Sequence, residues 1–379
     1  METQRKMVKL SPSKKYLIWG TRIGALKLKN RLSKHFNIEG FVDNNISERF
    51  IKNDIIYNPL DVLDKPYFFI IVATLQNYNQ IKKQLITSGK REFIDFIYYA
   101  WIEKKIVYLH GNCHMRVLDI MLSSVEEFNE HYTIYPYVLI QDNKDGFIDE
   151  NILNNIDVFI HQDIQKENSY GYKLSDEYIE PHLNINCLNI TVPNLFGYGK
   201  GFFPQFQWNS RNKCLNNDKN GMFPHADIFI DECVKKSMDI DEIVRLIQEE
   251  APFTEKEILD NFNLCMSKLR ERQNNWDISI YNFIQNNYQK QQLFYDQGHP
   301  TNIVISEIAK QLLKKLDICG NPSCEFLMDT HEEFIYPCVS KTLSLNWKQG
   351  EIRKSINAKK IEDKMDIREY VKEYIWWCY

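Results

Sequence analysis

Two stretches of the chain share one pattern, a short apolar run followed by a glycine turn and a helix-forming segment. The first apolar run is residues 16–20, and the second is residues 106–110, which leads into Gly111. Further strand-like segments at 38–43 and 67–73 follow the first unit. A buried strand that turns sharply into a helix is the repeating unit of sheets with parallel strands. The pattern therefore predicts an α/β fold with mostly parallel sheets.

The rest of the chain alternates strand-like and helix-like segments in the same way. Strands are predicted at 131–140, 157–161, 186–192 and 226–230, and helices at 78–88, 115–123, 239–250, 254–274 and 303–316. The segment 209–221, rich in Asn and Lys, is predicted to be a loop, and the pattern after Gly320 breaks into short pieces. The expected organisation is an α/β domain at 1–102, a larger α/β domain at 103–345 and a C-terminal docking tail at 346–379.

Charge and cysteine usage exclude several classes of protein. The 379 residues carry a net charge of −4 with a pI near 6.2, which argues against a protein built mainly to hold nucleic acid or an anionic membrane. The nine cysteines form no CxxC pair, so neither a disulfide framework nor a zinc ribbon is predicted. The longest apolar stretch, 67–75, is half a membrane span. We expect a cytoplasmic protein that does not span a membrane.

The first glycine turn departs from the GxGxxG pattern of dinucleotide-binding folds. Gly20 and Gly24 are present, but Arg22 and Ala25 stand at the other two glycine or alanine positions. A side chain at position 22 would obstruct the close approach of a pyrophosphate. One interpretation is a nucleotide or sugar-nucleotide pocket with Asp43 on a ribose. The favoured one is an α/β fold whose glycines only permit a tight turn.

The second turn, Gly111-Asn112-Cys113-His114, contains a candidate nucleophile. It lies where a strand passes into a helix, the edge at which parallel α/β sheets present their functional groups. The positive end of a helix dipole favours the thiolate form of a cysteine placed there. The alternative is that Cys113 is a buried small hydrophobic residue, which is the usual state of a free cysteine.

A second candidate turn is Asp296-Gln297-Gly298-His299, which precedes a predicted helix. An aspartate three residues before a histidine can orient the imidazole, as the acid orients the base in a catalytic triad. The alternative is that Asp296 only caps a turn and His299 bonds a backbone carbonyl. The residues alone leave both interpretations open.

Several segments in order resemble one known family. They are the turn at 111–114 together with segments 157–162, 192–196, 201–204, 269–272, 293–295 and 299–301. This set resembles the WcbI-type polysaccharide biosynthesis domain, itself similar to SGNH (GDSL-type) hydrolases, over about residues 105–345. The N-terminal domain is similar to the Rossmann-like modules that accompany sugar-modifying enzymes.

The resemblance implies an enzyme of capsule or surface-polysaccharide assembly that binds coenzyme A and transfers acetyl from acetyl-CoA to a sugar or glycan hydroxyl. Cys113 takes the place of the SGNH serine, and Asp296 with His299 matches the SGNH Asp-x-x-His block. Gln162 stands where SGNH enzymes place an asparagine of the oxyanion hole. The motif usually reads Gly-Asn-Cys-Gln, whereas His114 follows the cysteine here, and the position of Asp296 is often not aspartate in this family.

In the implied mechanism, His299 deprotonates Cys113 or the sugar hydroxyl. The backbone N–H of Cys113 and the amide of Gln162 hold the oxyanion, and Gly111 and Asn112 shape the turn. We expect six further residues to contact the substrate or cofactor, the two basic residues at 200 and 211 meeting its anionic parts: His114, Arg116, Phe196, Tyr198, Lys200 and Arg211.

Three alternatives remain open. The same triad could deacylate a carbohydrate ester as an SGNH-type esterase. His110, Cys113 and His114 could ligate a metal, but Gly111 breaks the helix that such spacing requires, so no metal is predicted. The protein could instead be a non-catalytic scaffold that binds a glycan or nucleotide. The sugar, the acyl group, the ligand of the N-terminal domain and the oligomeric state, including a homo-oligomer, are left open.

Overall fold

The structure is a computed structural model that describes residues 10–45, 50–51, 53–65, 68–74, 76–208, 223, 225–324, 332–353 and 364–379. Within these ranges the strands are β1 (Lys15–Trp19), β2 (Asn37–Val42), β3 (Phe50–Ile51), β4 (Asp54–Tyr57), β5 (Phe68–Val72), β6 (Phe96–Tyr98), β7 (Lys105–His110), β8 (Tyr132–Ile134), β9 (Val158–Gln162), β10 (Leu188–Val192), β11 (Phe206–Trp208), β12 (His225–Asp227), β13 (Ile352–Arg353) and β14 (Lys364–Met365).

The α-helices of the same ranges vary from one to five turns in length. They are α1 (Ile23–Leu32), α2 (Pro59–Val62), α3 (Tyr78–Thr87), α4 (Ala100–Glu103), α5 (His114–Ser123), α6 (Glu126–His131), α7 (Glu150–Leu153), α8 (Asp176–Ile179), α9 (Ile228–Lys235), α10 (Ile240–Glu249), α11 (Glu255–Arg272), α12 (Tyr281–Asn287), α13 (Asn302–Lys315), α14 (Pro337–Thr342) and α15 (Ile367–Cys378). None of these helices is long and apolar enough to cross a membrane.

A six-stranded sheet in the order β3-β4-β2-β1-β5-β6 is parallel except at the β3–β4 edge. Strand β1 pairs with β5 from Lys15 opposite Phe68 to Trp19 opposite Val72. All five residues of β5 are buried. A strand covered on both faces needs a continuous apolar run rather than an alternating one, which explains the sequences of these two central strands.

The first glycine turn leads from β1 into α1. Gly20 has φ = 121°, a conformation that favours glycine, and its N–H donates to the carbonyl of Val42 over 2.8 Å. The Thr21 hydroxyl donates to the carboxylate of Asp43 over 2.7 Å. Asp43 therefore joins the ends of β1 and β2 through a side-chain contact.

A second sheet has the order β10-β9-β7-β8, in which β7 and β8 pair in parallel. Five of the six residues of β7 are buried, as are all five of β9. The chain leaves β7 at Gly111, leaves β9 after Gln162 and leaves β10 at Pro193. The candidate site is built on these three exits.

The chain divides into two compact units. The first comprises Met1–Leu109, Asn129–Phe159 and Ile164–Asn189, and the second comprises His110–Phe128, Ile160–Asp163 and Ile190–Tyr379. The core of the first unit contains Trp101, which stacks on Phe93 and Tyr135 with ring centroids 5.4 and 4.8 Å away. The domain boundaries predicted from the sequence remain a prediction.

The predicted α/β class with a mostly parallel sheet is confirmed. Three local predictions were wrong. The strand expected at 226–230 ends at Asp227, because its carboxylate accepts the N–H groups of Phe229 and Ile230 and starts α9 there. Of 131–140, only Tyr132–Ile134 is a strand, and the C-terminal end, expected as short pieces, forms the helix Ile367–Cys378. The predicted loop at 209–221 lies outside the described residues.

Candidate active site

Cys113 occupies the turn between β7 and α5, at the N-cap position of the helix. The neighbouring Asn112 does the capping, since its side-chain oxygen accepts the backbone N–H of His114 over 3.0 Å. The backbone N–H of Asn112 donates in turn to the side-chain oxygen of Gln162 over 2.9 Å. A Cβ on Gly111 would lie 2.6 Å from that oxygen. Glycine is therefore required at 111 for the buried Gln162 side chain to reach the turn.

The Asp296–His299 turn is organised around one buried carboxylate. One oxygen of Asp296 accepts the backbone N–H groups of Gly298 and His299 over 2.6 and 2.7 Å, and the other lies 2.7 Å from His299 Nδ1. The N–H of Tyr295 donates to the carbonyl of His299 over 2.8 Å and closes the turn. The Asp296 side chain is fully buried, whereas that of His299 is 23% exposed. Asp296 therefore both caps the turn and orients the imidazole.

His299 and Cys113 meet, although they are 186 positions apart in the sequence. Burial lowers the pKa of His299, but the Asp296 carboxylate and the hydrogen bond with the Cys113 thiol together raise it well above its ordinary value. Because Nδ1 faces Asp296, Nε2 is the nitrogen available to the thiol. The Asp296 carboxylate, the His299 imidazole and the Cys113 thiol thus form a hydrogen-bonded line with the imidazole in the middle.

His114 lies buried beside this line, with its ring centroid 6.3 Å from that of His299. Its Nε2 is 3.1 Å from the carbonyl oxygen of Gly298, and its Nδ1 is 3.3 Å from the amide nitrogen of Gln162. Burial is the main cause that lowers the pKa of His114 to about 3, and nearby His299 lowers it further. His114 is therefore neutral over the physiological pH range.

The segment that follows β10 packs directly on the turn at 296–299, the base turn. The N–H of Gly197 donates to the carbonyl of Gln297 over 3.0 Å. The exposed ring of Phe196 lies over Gly298, where a Cβ would be 3.0 Å from two ring carbons. Asn194 ties this segment to the turn at 111–114, the nucleophile turn, because its side-chain oxygen accepts from the Asn112 side-chain amide over 3.3 Å. The candidate site is thus bounded by three loops that contact each other.

Two family models match the chain. That of the polysaccharide biosynthesis enzyme WcbI matches residues 106–321, more than half of the chain, and that of the C2185-like N-terminal domain matches residues 12–93.

The chain belongs to the WcbI family of polysaccharide biosynthesis enzymes.

The fold agrees with this membership. A solved structure of WcbI, described as a novel polysaccharide biosynthesis enzyme, superposes with a TM-score of 0.60 at 19% identity, covering 73% of this chain and 90% of that one. It is described as the native protein without a disulfide bond between coenzyme A and a cysteine. At this identity the likeness shows a common fold. No curated protein matches the chain.

Outside the two turns, the predicted site residues of this WcbI-family chain include Arg116, Tyr198, Lys200 and Arg211. Arg116 is exposed on α5, and Tyr198 and Lys200 are half-buried in the 3-10 helix Tyr198–Gly201. Tyr198 hydrogen-bonds with Arg272, and burial raises the pKa of its hydroxyl. Arg211 lies outside the described residues. Among the described residues, no group of three or more His, Cys, Asp or Glu is placed to hold a metal ion.

Two groups of the site were not predicted, the Asn194 side chain, which lies within the 192–196 motif, and the carbonyl of Gly298. Asn194 follows Pro193 directly after β10, so its position at a strand exit was a usable signal. The carbonyl of Gly298 carries no such signal, because a backbone acceptor has no residue type.

Proposed function

We propose that this WcbI-family protein transfers an acetyl group from coenzyme A to a sugar hydroxyl during polysaccharide biosynthesis in the cytoplasm. The observation that carries the proposal is the line formed by Asp296, His299 and Cys113. It is the orienter, base and nucleophile arrangement of acyl-transfer enzymes, in which SGNH hydrolases use serine. Membership of the WcbI family supplies the polysaccharide context.

The proposed reaction has two steps with His299 as the shuttle for one proton. In the first, His299 Nε2 takes the thiol proton and the Cys113 sulfur attacks the acetyl carbonyl of acetyl-CoA. The carbon–sulfur bond to coenzyme A then breaks, and the leaving thiolate takes the proton from His299. In the second, His299 takes the proton of the sugar hydroxyl, whose oxygen attacks the acetyl-Cys113 thioester. The Cys113 thiolate leaves and recovers the proton.

The oxyanion formed in each step lies at the N-terminus of α5 in this proposal. The backbone N–H of Cys113 is one donor, favoured by the helix dipole. Gln162 is the second donor, as the resemblance to SGNH enzymes implies. Its amide nitrogen lies 3.3 Å from His114 Nδ1 and 3.4 Å from the carbonyl of Pro193, so it gives up the longer contact with Pro193 to reach an oxyanion and keeps the one with His114.

The proposed coenzyme A site lies over Cys113, which is half-buried and so within reach of a thioester. The solved WcbI structure supports this, since its description concerns a disulfide bond between coenzyme A and a cysteine. The exposed ring of Phe196 offers an apolar wall beside the turn. In this proposal, Arg116 and Lys200 contact the phosphates, and His114 supports the turn at 111–114 from inside the protein.

Single-turnover transfer of acetyl to a sugar, with mass spectrometry of the Cys113 peptide, tests the proposal. His299→Asn should lower turnover by about 10²–10⁴-fold and leave coenzyme A affinity in calorimetry nearly unchanged, because the base acts on a proton in transit. The matched control is His182→Asn, a half-buried histidine of the first unit, which should keep full turnover. Wild-type turnover in His299→Asn would exclude His299 as the base and refute the proposed SGNH-type chemistry.

The pH profile gives a second readout. A base acts only when neutral, so the raised pKa of His299 places the acidic limb of kcat/KM above pH 6.5. Asp296→Asn removes the carboxylate that is the main cause of the increase, and should move this limb to lower pH. Deacetylation of a sugar ester without transfer would identify an esterase, and glycan or coenzyme A binding without turnover would identify a scaffold.

A further inference from the structure

A chain of three hydrogen bonds connects the nucleophile turn to the base turn. It runs from the backbone N–H of Asn112 to the oxygen of Gln162, from the Gln162 amide nitrogen to His114 Nδ1, and from His114 Nε2 to the carbonyl of Gly298. The distances are 2.9, 3.3 and 3.1 Å. Gly298 is the residue before His299, and Asn112 is the residue before Cys113. This series of hydrogen bonds therefore ends one residue before each of the two reacting side chains.

The chemistry of the two ends determines the direction of every bond in this chain. A backbone N–H only donates, so the end of Gln162 that faces Asn112 must be its oxygen, and the NH2 group must face His114. A carbonyl only accepts, so His114 Nε2 must carry the proton and Nδ1 must accept from Gln162. Only the neutral imidazole protonated at Nε2 satisfies all three hydrogen bonds. Protonation of Nδ1 would set an N–H against the amide NH2 group.

Because His114 and Gln162 are buried, the loss of one of these hydrogen bonds destabilises the site. His114 and Gln162 are 3% and 1% exposed, so an unpaired nitrogen in either would not be compensated by water. Both ring nitrogens of His114 are used inside the protein. The titratable groups that face His114 are His299 and Asp296, from the base turn. Their effects on His114 are opposite in sign, and burial outweighs both.

We propose that His114 and Gln162 are a positioning pair, which sets the distance between Cys113 and His299 and works only while His114 is neutral. Neither side chain needs to touch the substrate in this role. The proposal deepens the proposed function, because it concerns the same nucleophile and base, but its first two tests do not depend on acetyl transfer.

The first test is ¹⁵N NMR of the imidazoles of the wild-type protein, with His114 assigned from the signal lost in His114→Gln. We expect His114 to show the tautomer protonated at Nε2 and to keep it from pH 5 to pH 8, while His299 titrates above pH 6.5. A His114 that titrates near pH 6.5, or that carries its proton on Nδ1, would overturn the proposal. The tautomer and the titration are measured on the wild-type protein; a variant is needed only to assign the signal, and His114→Asn serves for this where His114→Gln does not fold.

The second test is the rate at which iodoacetamide alkylates Cys113, measured by mass spectrometry. His114→Leu removes the partner of one Gln162 amide hydrogen and of the Gly298 carbonyl, and should slow alkylation at pH 7 by about 10-fold or more, because only a thiolate reacts. His114→Gln can accept at its oxygen and donate at its nitrogen, and should stay within about 3-fold of the wild type. Cys265, half-buried on α11, is the internal control.

Equal slowing by both variants, or no slowing by His114→Leu, would refute the positioning pair. Where acetyl transfer is observed, His114→Leu should lower kcat by on the order of 10²-fold at unchanged KM for acetyl-CoA, and His114→Gln should restore it. Absence of transfer in every protein, with the NMR and alkylation results as expected, would refute the proposed function and keep the pair.

Discussion

Replacing Gly199 with alanine should separate the two loops that support His299. Gly199 is buried in the 3-10 helix Tyr198–Gly201 and packs on the base turn. A Cβ there would lie 3.0 Å from two backbone atoms of Gln297, and closer still to the carbonyl oxygen of Asp296. Because the obstacle is backbone, no side-chain rotation relieves it.

The magnitude follows from this geometry. Ordinary contact begins at 3.4 Å, so the loops must separate by several tenths of an ångström at Gln297 and by more at Asp296. Overpacking of a buried site costs about 1–3 kcal/mol of stability. A displacement of about 1 Å at a catalytic group costs on the order of 10²-fold in turnover. We therefore expect Gly199→Ala to lose both stability and turnover, and to keep most of its coenzyme A affinity.

The matched control is Gly24→Ala. A Cβ at Gly24 meets nothing within 4 Å, and alanine is favoured over glycine in a helix such as α1. This variant should melt at the wild-type temperature or above it and should keep full turnover. Urea unfolding, single-turnover transfer and calorimetry of coenzyme A measure the three quantities in each variant. Gly199→Ala with wild-type stability and turnover would show that the two loops do not constrain each other.

Two further predictions concern buried charges. Burial raises the pKa of Asp227 to about 7, so its contribution to stability is full below pH 4 and is lost as the pH rises towards 7. Asp227→Asn keeps the helix cap and should make the melting temperature nearly independent of pH between pH 5 and 8. A pH dependence equal to that of the wild type would contradict this. Lys82, whose side chain is 24% exposed, pairs over 2.6 Å with the buried carboxylate of Glu92, so Lys82→Met should cost about 1–3 kcal/mol in urea unfolding. The exposed neighbour Lys83→Met should change stability by less than about 0.5 kcal/mol, and equal losses in both variants would refute the argument.

Local rules predicted the elements that local interactions decide. The apolar runs of β1, β5 and β7 were sufficient to predict buried strands, because a strand covered on both faces admits few polar side chains. Helix α11 was predicted at 254–274 and starts one residue after Thr254, which caps it together with Glu257. The prediction of a strand at 226–230 was wrong because two local signals conflicted there. The apolar run favours a strand, but the Asp227 carboxylate caps a helix that begins at the next residue.

Half of the candidate site is local as well. Asp296 and His299 are three residues apart, so the carboxylate reaches the imidazole and two backbone N–H groups of the same turn without any partner segment. The Cys113 turn is equally local, with Asn112 capping the helix that follows. For this reason both turns could be found from their residue types and spacing.

The sequence by itself determined the buried central strands, the two turns and the ordered set of motifs that resembles the WcbI family. Only the tertiary structure decided that Cys113 meets His299, that His114 is buried and neutral, and that the Gln162 amide faces His114. The physical reason is the range of the forces involved. Periodicity and capping act within one or two turns of chain, whereas contacts between loops depend on which strands become neighbours and on which polar groups they leave to be satisfied.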